Sequence, residues 1–345
     1  MITSGNGYDG VHAAELASNG AHLPKPRPPA DDDQAGPTIG LITAIPEEFA
    51  AMRALLEHPI EHYVERDPAP YVLGFLPSRE VTRSHRVVLT LLGATATNAA
   101  ANGCTNLVRS FPTVVAVIMV GIAAGMPNPY RPQHHVRLGD VVVATQGLVD
   151  YDHVRAVADG VQPRRQFPLP SPRFARCADM LKADELSGHR PWEHWLGEGR
   201  PAHLTGYGRP PQHTDVLQDP GGNKLDHPPR NRSGHRKGVP KIHYGAIGSA
   251  DRSLRDATTR DQLATRHGFL AIEMEGAGIG SSSFLNQLEW FVIRGISDYG
   301  DGHRSEVWRR HASLTAACYL RALLAKCLPL EPQFGMDRTE ANSLR

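Results

Sequence analysis

The chain has 345 residues, 40% of them apolar, with 37 basic against 36 acidic side chains. That is enough for one large α/β domain with additions, and a formal net charge of +1 gives no reason to expect nucleic acid or a membrane surface as a partner. No apolar run reaches the roughly 18 residues of a transmembrane helix, the N-terminal stretch lacks the pattern of a secretory signal, and Cys104, Cys177, Cys318 and Cys327 lie far apart without a C-x-x-C pair. No disulfide framework, metal or other cofactor is therefore expected, and the expected compartment is a reducing cytoplasm.

Residues 1–37 read as a disordered tail, because 22–37 combine Pro, Asp and Lys with almost no apolar side chain. The folded domain is expected over 38–328, with a flexible tail over 329–345. Residues 39–45 form an apolar run of buried-strand length. Pro46-Glu47-Glu48 then opens a helix, since proline suits the first helical position and acids the first turn. Residues 87–92 predict a strand and 97–108 a helix. Residues 114–120 are the most apolar stretch, a central parallel strand by composition, ending in a small-residue turn at 121–126. Residues 138–144 predict the next strand.

Residues 161–240 then hold 12 of the 28 prolines, six histidines, and 13 basic against 8 acidic residues. They have too few apolar residues for a core of their own. An irregular insertion over 160–240 is expected, with disorder a full alternative for 206–240. Order resumes at Ile242. Thr258 or Thr259 is expected to cap a helix that Gly268 stops. A strand over 269–272, a helix over 275–284, a strand over 290–296 and an amphipathic helix over 305–327 complete the chain. The alternation predicts an α/β fold: a single domain with a mostly parallel central sheet flanked by helices.

Ligands of such sheets sit outside the carboxyl ends of the strands. The residues there are Glu47 and Glu48, then 121–125, then Glu273, Met274 and Glu275, and finally Arg294, Ser297 and Asp298. Several acids converging on one crevice suit general acid/base chemistry. Each also has a plainer reading: dipole-favouring helix-start acids, a packing turn, a cap. Arg294 stands in an apolar strand and needs a carboxylate partner whatever its function. The 121–125 segment is not G-x-G-x-x-G, so no dinucleotide site is read.

Taken together, the segments resemble a known pattern. Residues 39–48 resemble the opening of methylthioadenosine/S-adenosylhomocysteine nucleosidases. Residues 271–277, with Glu273-Met274-Glu275, look like that family's E-M-E-A motif, and Val292-Ile293-Arg294-Gly295-Ile296-Ser297-Asp298 like its R-A-I-S-D strand. Residues 120–125 resemble its central glycine turn, and 138–142 its G-D-V-V. The chain is thus similar to the nucleoside phosphorylase/nucleosidase superfamily over 38–155 and 242–325. Pro191-Trp192-Glu193, 214–217, 243–249, and 298–303 with Trp308 resemble a divergent, effector-type branch. The resemblance implies cleavage of a purine N-ribosidic bond by a homodimer or higher homo-oligomer. It makes Asp298 the acid that protonates purine N7, Glu48 the group that activates water, and Glu275 the acceptor of ribose hydroxyls. Met274 would pack on the sugar, Glu273 and Arg294 would belong to the substrate-binding set, with Arg294 holding Glu48 or the ribose-side network, Ser297 would orient Asp298, and Ile122, Ala123, Ala124 and Ser253 would line the base and ribose. Ala124 and Gly276 depart from the family pattern, and Asp251-Arg252-Ser253-Leu254 lacks the phenylalanine of the bacterial enzymes.

Hydrolysis is favoured over phosphorolysis, because Glu48 stands where a phosphorylase would place cationic donors. A catalytically silent nucleotide-binding module is the remaining alternative. The basic insertion, with Arg164, Arg165, Arg230, Arg232, Arg236 and Lys237, suggests a nucleotide such as AMP or ATP as substrate.

Overall fold

All five residues of the first strand, β1 (Ile39–Thr43), are buried, as an unalternating apolar run requires when both faces of a strand are covered. In the computed structural model, which describes residues 36–158, 160–163, 169–303 and 306–332, β1 belongs to an eleven-stranded sheet. It is followed by α1 (Pro46–Ala54), β2 (Glu57–Val64), β3 (Asp67–Leu76), β4 (His85–Leu91), α2 (Thr97–Ser110), β5 (Ala116–Gly125), β6 (Val141–Val143) and β7 (Leu148–Asp150). A hairpin of Val154–Val157 with Gly160–Pro163, helix α3 (Pro172–Leu186) and a long connection come next. Strands β8 (Ile242–Tyr244) and β9 (Ile247–Ser249), α4 (Ala257–His267), β10 (Ala271–Glu273), α5 (Gly276–Leu285), β11 (Glu289–Asp298) and α6 (Arg309–Leu324) finish the domain.

The sheet runs β8-β6-β11-β5-β1-β4-β3-β2, and a branch of β7, β9 and β10 joins it at β5. Strand β1 is parallel to β4 and β5, and β5 to β11. The β2–β3–β4 meander and the β6–β11 and β5–β10 pairs are antiparallel. One apolar layer joins α1, α3 and α6 to the sheet, and a second joins α2 and α5 to it. Each fully buried Leu, Ile or Phe in these layers contributes ~1.5–3 kcal/mol. This is the α/β fold read from the sequence, one domain with a mostly parallel sheet between helices. Among the described residues, no helix is long and apolar enough to cross a membrane. The four cysteines are free and buried.

Four local readings need correction. The 121–126 segment is no turn. Its first five residues continue β5 to Gly125, with Gly121 opposite Arg294 and Ala123 opposite Ile296, because two neighbouring strands supply the ladder that small residues alone do not announce. The hairpin β2–β3 was unforeseen, since β2 is polar and mostly exposed and carries no alternation. Helix α4 is capped by Asp256, whose carboxylate accepts from Thr259 N at 2.7 Å, rather than by either threonine. The C-terminal helix begins at Arg309, not Ser305.

The 160–240 region also departs from expectation. It contains the 15-residue α3, and 206–240 is laid against the domain by specific groups. It has no core of its own. Instead it lends Phe174, Trp192, Leu204 and Tyr207 to the layer under α6. Tyr207 donates to Glu47 O at 3.0 Å, and Trp308 Nε1 donates to Thr214 Oγ1 at 3.0 Å. Asp215 accepts from Arg137 Nε and Nη2 at 2.9 and 2.7 Å and from the Tyr299 hydroxyl at 2.6 Å. Burial alone would raise the Asp215 carboxyl, but His227 and Arg137 hold it down at about 2. The 1–35 and 333–345 parts of the expected tails lie outside the described residues.

Candidate active site

A cavity of about 390 Å³ opens where β1, β5, β10 and β11 end. Glu48, Ile122, Ala123, Ala124, Ser253, Glu273, Met274, Glu275, Ser297 and Asp298 all line it. Arg294 does not; it lies behind the lining, fully buried.

Glu48 is placed by its own helix start. As the third residue of α1 its carboxylate turns back, and Oε2 accepts from Ala44 N at 2.7 Å and Ile45 N at 3.3 Å, which serves backbone donors that a helix N-terminus leaves unpaired. Oε1 accepts from Ile122 N at 2.8 Å and has a further lone pair. The plain capping reading and the cavity reading are thus both true of one side chain. At 3% exposure, burial pushes its pKa up, against the pull of Arg294 and the three backbone N–H groups.

Arg294 comes up from β11 beneath the cavity floor. Its Nη2 donates to Glu273 Oε2 and, at 3.4 Å, to Glu275 Oε2. Glu273 Oε2 also accepts from Glu275 N at 3.1 Å and Gly276 N at 2.8 Å. Gly121 makes room for this cluster. A Cβ there would stand 2.5 Å from both Arg294 Nη1 and Glu48 Oε1, closer than real contacts allow. Three carboxylates therefore share one guanidinium in a water-poor setting. The Glu275 carboxyl is driven up to about 7, chiefly by burial, with Arg294 opposing and Glu273 and Glu48 adding to the rise.

Asp298 ends β11, half-buried at the cavity. Oδ2 accepts from the Ser297 hydroxyl at 2.9 Å, and Oδ1 from Gly300 N at 2.9 Å. These two bonds fix its plane.

Arg252 and Leu254, beside Ser253, and Ile272, beside Glu273, also face the cavity, and three lining groups, Thr95, Arg255 and Arg309, escaped the sequence reading. Ala96, next to Thr95, holds φ at +102°, a strained value for a non-glycine residue, and so aims its N–H at Glu275 Oε1, 3.2 Å away. Only a cluster of Gly93, Ala94, Thr95 and Ala96 marks this loop in the sequence. Arg252 is paired with Asp152 and Arg309 with the exposed Glu306. The described cations of the insertion stand elsewhere. Arg230 donates to Gln212 and to Arg236 O, Arg236 is paired with Glu193, and none of Arg230, Arg232, Arg236 and Lys237 lines the cavity. Arg164 and Arg165 lie outside the described residues.

The chain is similar to known proteins over most of its length. The sequence profile of the phosphorylase superfamily matches residues 38–325. A nucleotide-binding leucine-rich repeat (NLR)-like protein of Hyaloscypha variabilis is 28% identical over 85% of this chain, which spans only 29% of that protein's length. A 5'-methylthioadenosine/S-adenosylhomocysteine nucleosidase of Mycobacterium bovis is 27% identical over 85% of this chain and 97% of its own. ATP nucleosidase Cap17 of Escherichia coli is 23% identical over 81% of this chain and 50% of its own. Among solved structures, the S-adenosylhomocysteine nucleosidase of Streptococcus pyogenes superposes with a TM-score of 0.56 at 20% identity, over 85% of this chain and 98% of that one. The chain belongs to the phosphorylase superfamily.

Proposed function

We propose that the protein is an N-ribosidic hydrolase that releases the free base from a purine nucleoside or nucleotide. The observation that carries this reading is one cavity faced by both Asp298 and the buried, backbone-held carboxylate of Glu48. As the C1′–N9 bond breaks, its electron pair passes to the purine, and Asp298 delivers a proton to N7. Water adds to C1′ and gives up a proton to Glu48, whose raised pKa makes it a better base. Glu275 accepts from the ribose hydroxyls, and Met274 covers the sugar. Arg294 touches no substrate; it positions Glu273 and Glu275. The names of the mycobacterial and Escherichia coli relatives support the hydrolase class.

A nucleotide is the favoured substrate, with the cations coming from the cavity wall rather than the insertion. Arg255 makes no ion pair among the described residues and lines the cavity together with Arg309, so a phosphate group would find a charge-assisted donor there. Phosphorolysis is the competing reading, and it would bring a phosphate dianion beside Glu48. A panel of adenosine, methylthioadenosine, AMP and ATP, each with and without inorganic phosphate, separates the readings. Base released without phosphate supports the hydrolase, base only with phosphate overturns it, and no base from any substrate leaves a binding module. Faster turnover of adenosine or methylthioadenosine than of AMP and ATP would overturn the nucleotide preference alone.

A further inference from the structure

We propose that Asp140, His235 and His243 form a binding site for a divalent transition-metal ion, zinc in the first place, that clamps the end of the long connection to the central sheet. The three residues come from separate places. Asp140 precedes β6, His235 closes the connection, and His243 lies in β8. All three are buried, and one ligand atom from each can be chosen so that the atoms lie within 4.8 Å of one another.

Hydrogen bonding alone accounts poorly for this geometry. Asp140 Oδ2 faces His235 Nε2 at 2.8 Å and His243 Nε2 at 2.9 Å, and it also accepts from Arg137 N at 2.8 Å. Three donors then crowd one oxygen with two lone pairs, while Oδ1 accepts from Lys241 N at 2.9 Å. His235 is held from its other side as well, with Nδ1 2.9 Å from Ser233 Oγ. The ammonium of Lys241 turns away from the carboxylate and donates to the carbonyls of Gln133 and Ser233.

One divalent ion serves both imidazoles and the carboxylate, and it leaves Oδ2 only the Arg137 N–H besides. Two imidazole nitrogens, which are borderline donors, outnumber the one hard carboxylate oxygen, a set that suits zinc and its neighbours rather than magnesium or calcium. At metal–ligand distances of about 2.0–2.1 Å, tetrahedral ligand atoms stand about 3.4 Å apart, so each histidine nitrogen, now 2.8 or 2.9 Å from Asp140 Oδ2, needs to open from it by about half an ångström. The Ser233 contact to His235 Nδ1 is the kind of outer hydrogen bond that fixes ligating histidines. The consequence is mechanical. Asp140 O accepts from Ile296 N, and Gly139 N donates to Ile296 O, so the clamp ties the 230–243 stretch to the strand that ends in Asp298.

The test uses the full chain, purified without metal-affinity tags. About one zinc per chain is expected by mass spectrometry of the metal content. Stripping with a chelator should lower the melting temperature, and adding zinc or cobalt(II), but not magnesium, should restore it by about 4 °C or more. Cobalt(II) should give the visible bands of a low-coordinate nitrogen/oxygen site, and His235→Asn should remove both the bands and the metal-dependent shift. If that variant does not fold, the stripped wild-type protein decides. No retained zinc, no zinc-dependent stabilisation and no cobalt band would overturn the proposal and leave a hydrogen-bonded trio. Bands and stabilisation that persist in folded His235→Asn would overturn it equally, by placing the metal elsewhere.

Discussion

Two buried polar centres lie along β11, and they differ in how far their groups are satisfied. Around Asp140 polar partners are in excess: three contacts converge on Oδ2, Oδ1 has its own donor, and both ring nitrogens of His235 face a polar atom. Around Arg294, by contrast, Nε and Nη1 of the guanidinium and Oε1 of Glu273 have no hydrogen-bond partner among the described residues. Three acids compete there for one cation, and two of them have raised pKa values. A buried group left short of partners is expensive. Folding tolerates such a cluster where substrate and water complete it, and this one lies against a cavity. The crowded centre ties the long connection to the sheet, and the unsatisfied one lies where the proposed hydrolysis would take place.

The contrast can be broken at several points. Glu48→Gln should have the largest effect. The amide keeps the shape but cannot take a proton, and only one of its two ends can accept, so either Ile122 N or the Ala44 and Ile45 N–H groups lose their acceptor. A fall in kcat of ~10²–10⁴-fold with substrate binding retained is the expected result of steady-state and binding assays. Loss of binding together with turnover would make Glu48 a substrate ligand.

Asp140→Asn should act in the opposite sense. Weakening a buried charge centre destabilises by ~3–5 kcal/mol, measured by denaturant unfolding, while kcat per folded molecule stays unchanged. Gly121→Ala should disturb the unsatisfied centre without touching any charge. The added methyl group must displace Arg294 or Glu48. Overpacking of this kind costs ~1–3 kcal/mol, and activity should fall even in the folded fraction.

The smallest effect is a pH dependence. The Glu275 carboxyl titrates at about 7 when folded, against 4.5 for the free group. The native state therefore binds the proton more tightly, so the stability this group contributes is full below about 4.5 and is lost as the pH rises through about 7. Activity should run the other way, since only the carboxylate accepts from ribose. Glu275→Gln should flatten both slopes, in unfolding curves and in the kcat/KM profile.

The carboxylate cluster at the cavity was legible in the sequence because its parts follow strands. Glu48, Glu273, Glu275 and Asp298 sit where a parallel sheet presents ligands, and Arg294 in an apolar strand announced a buried partner. What stayed hidden depends on long-range closure. Asp140 and its histidines are separated by 95 and 103 positions. Arg255 and Arg309 meet only across the cavity. The connection looked too poor in apolar residues for a core of its own, and Trp192, Leu204 and Tyr207 join the layer that includes Tyr319 of α6. Glycines 121 and 125 suggested a turn, whereas their lack of a side chain gives room to Arg294, Glu48 and Ile296.

The central claim is that Asp298 protonates the departing purine in a hydrolysis. The most direct test compares wild-type protein with Asp298→Asn for free-base release in phosphate-free buffer, with circular dichroism as a check on folding. The account predicts base release by the wild type, and in a variant of native fold a loss of at least ~10²-fold. Wild-type-like release by Asp298→Asn would contradict it.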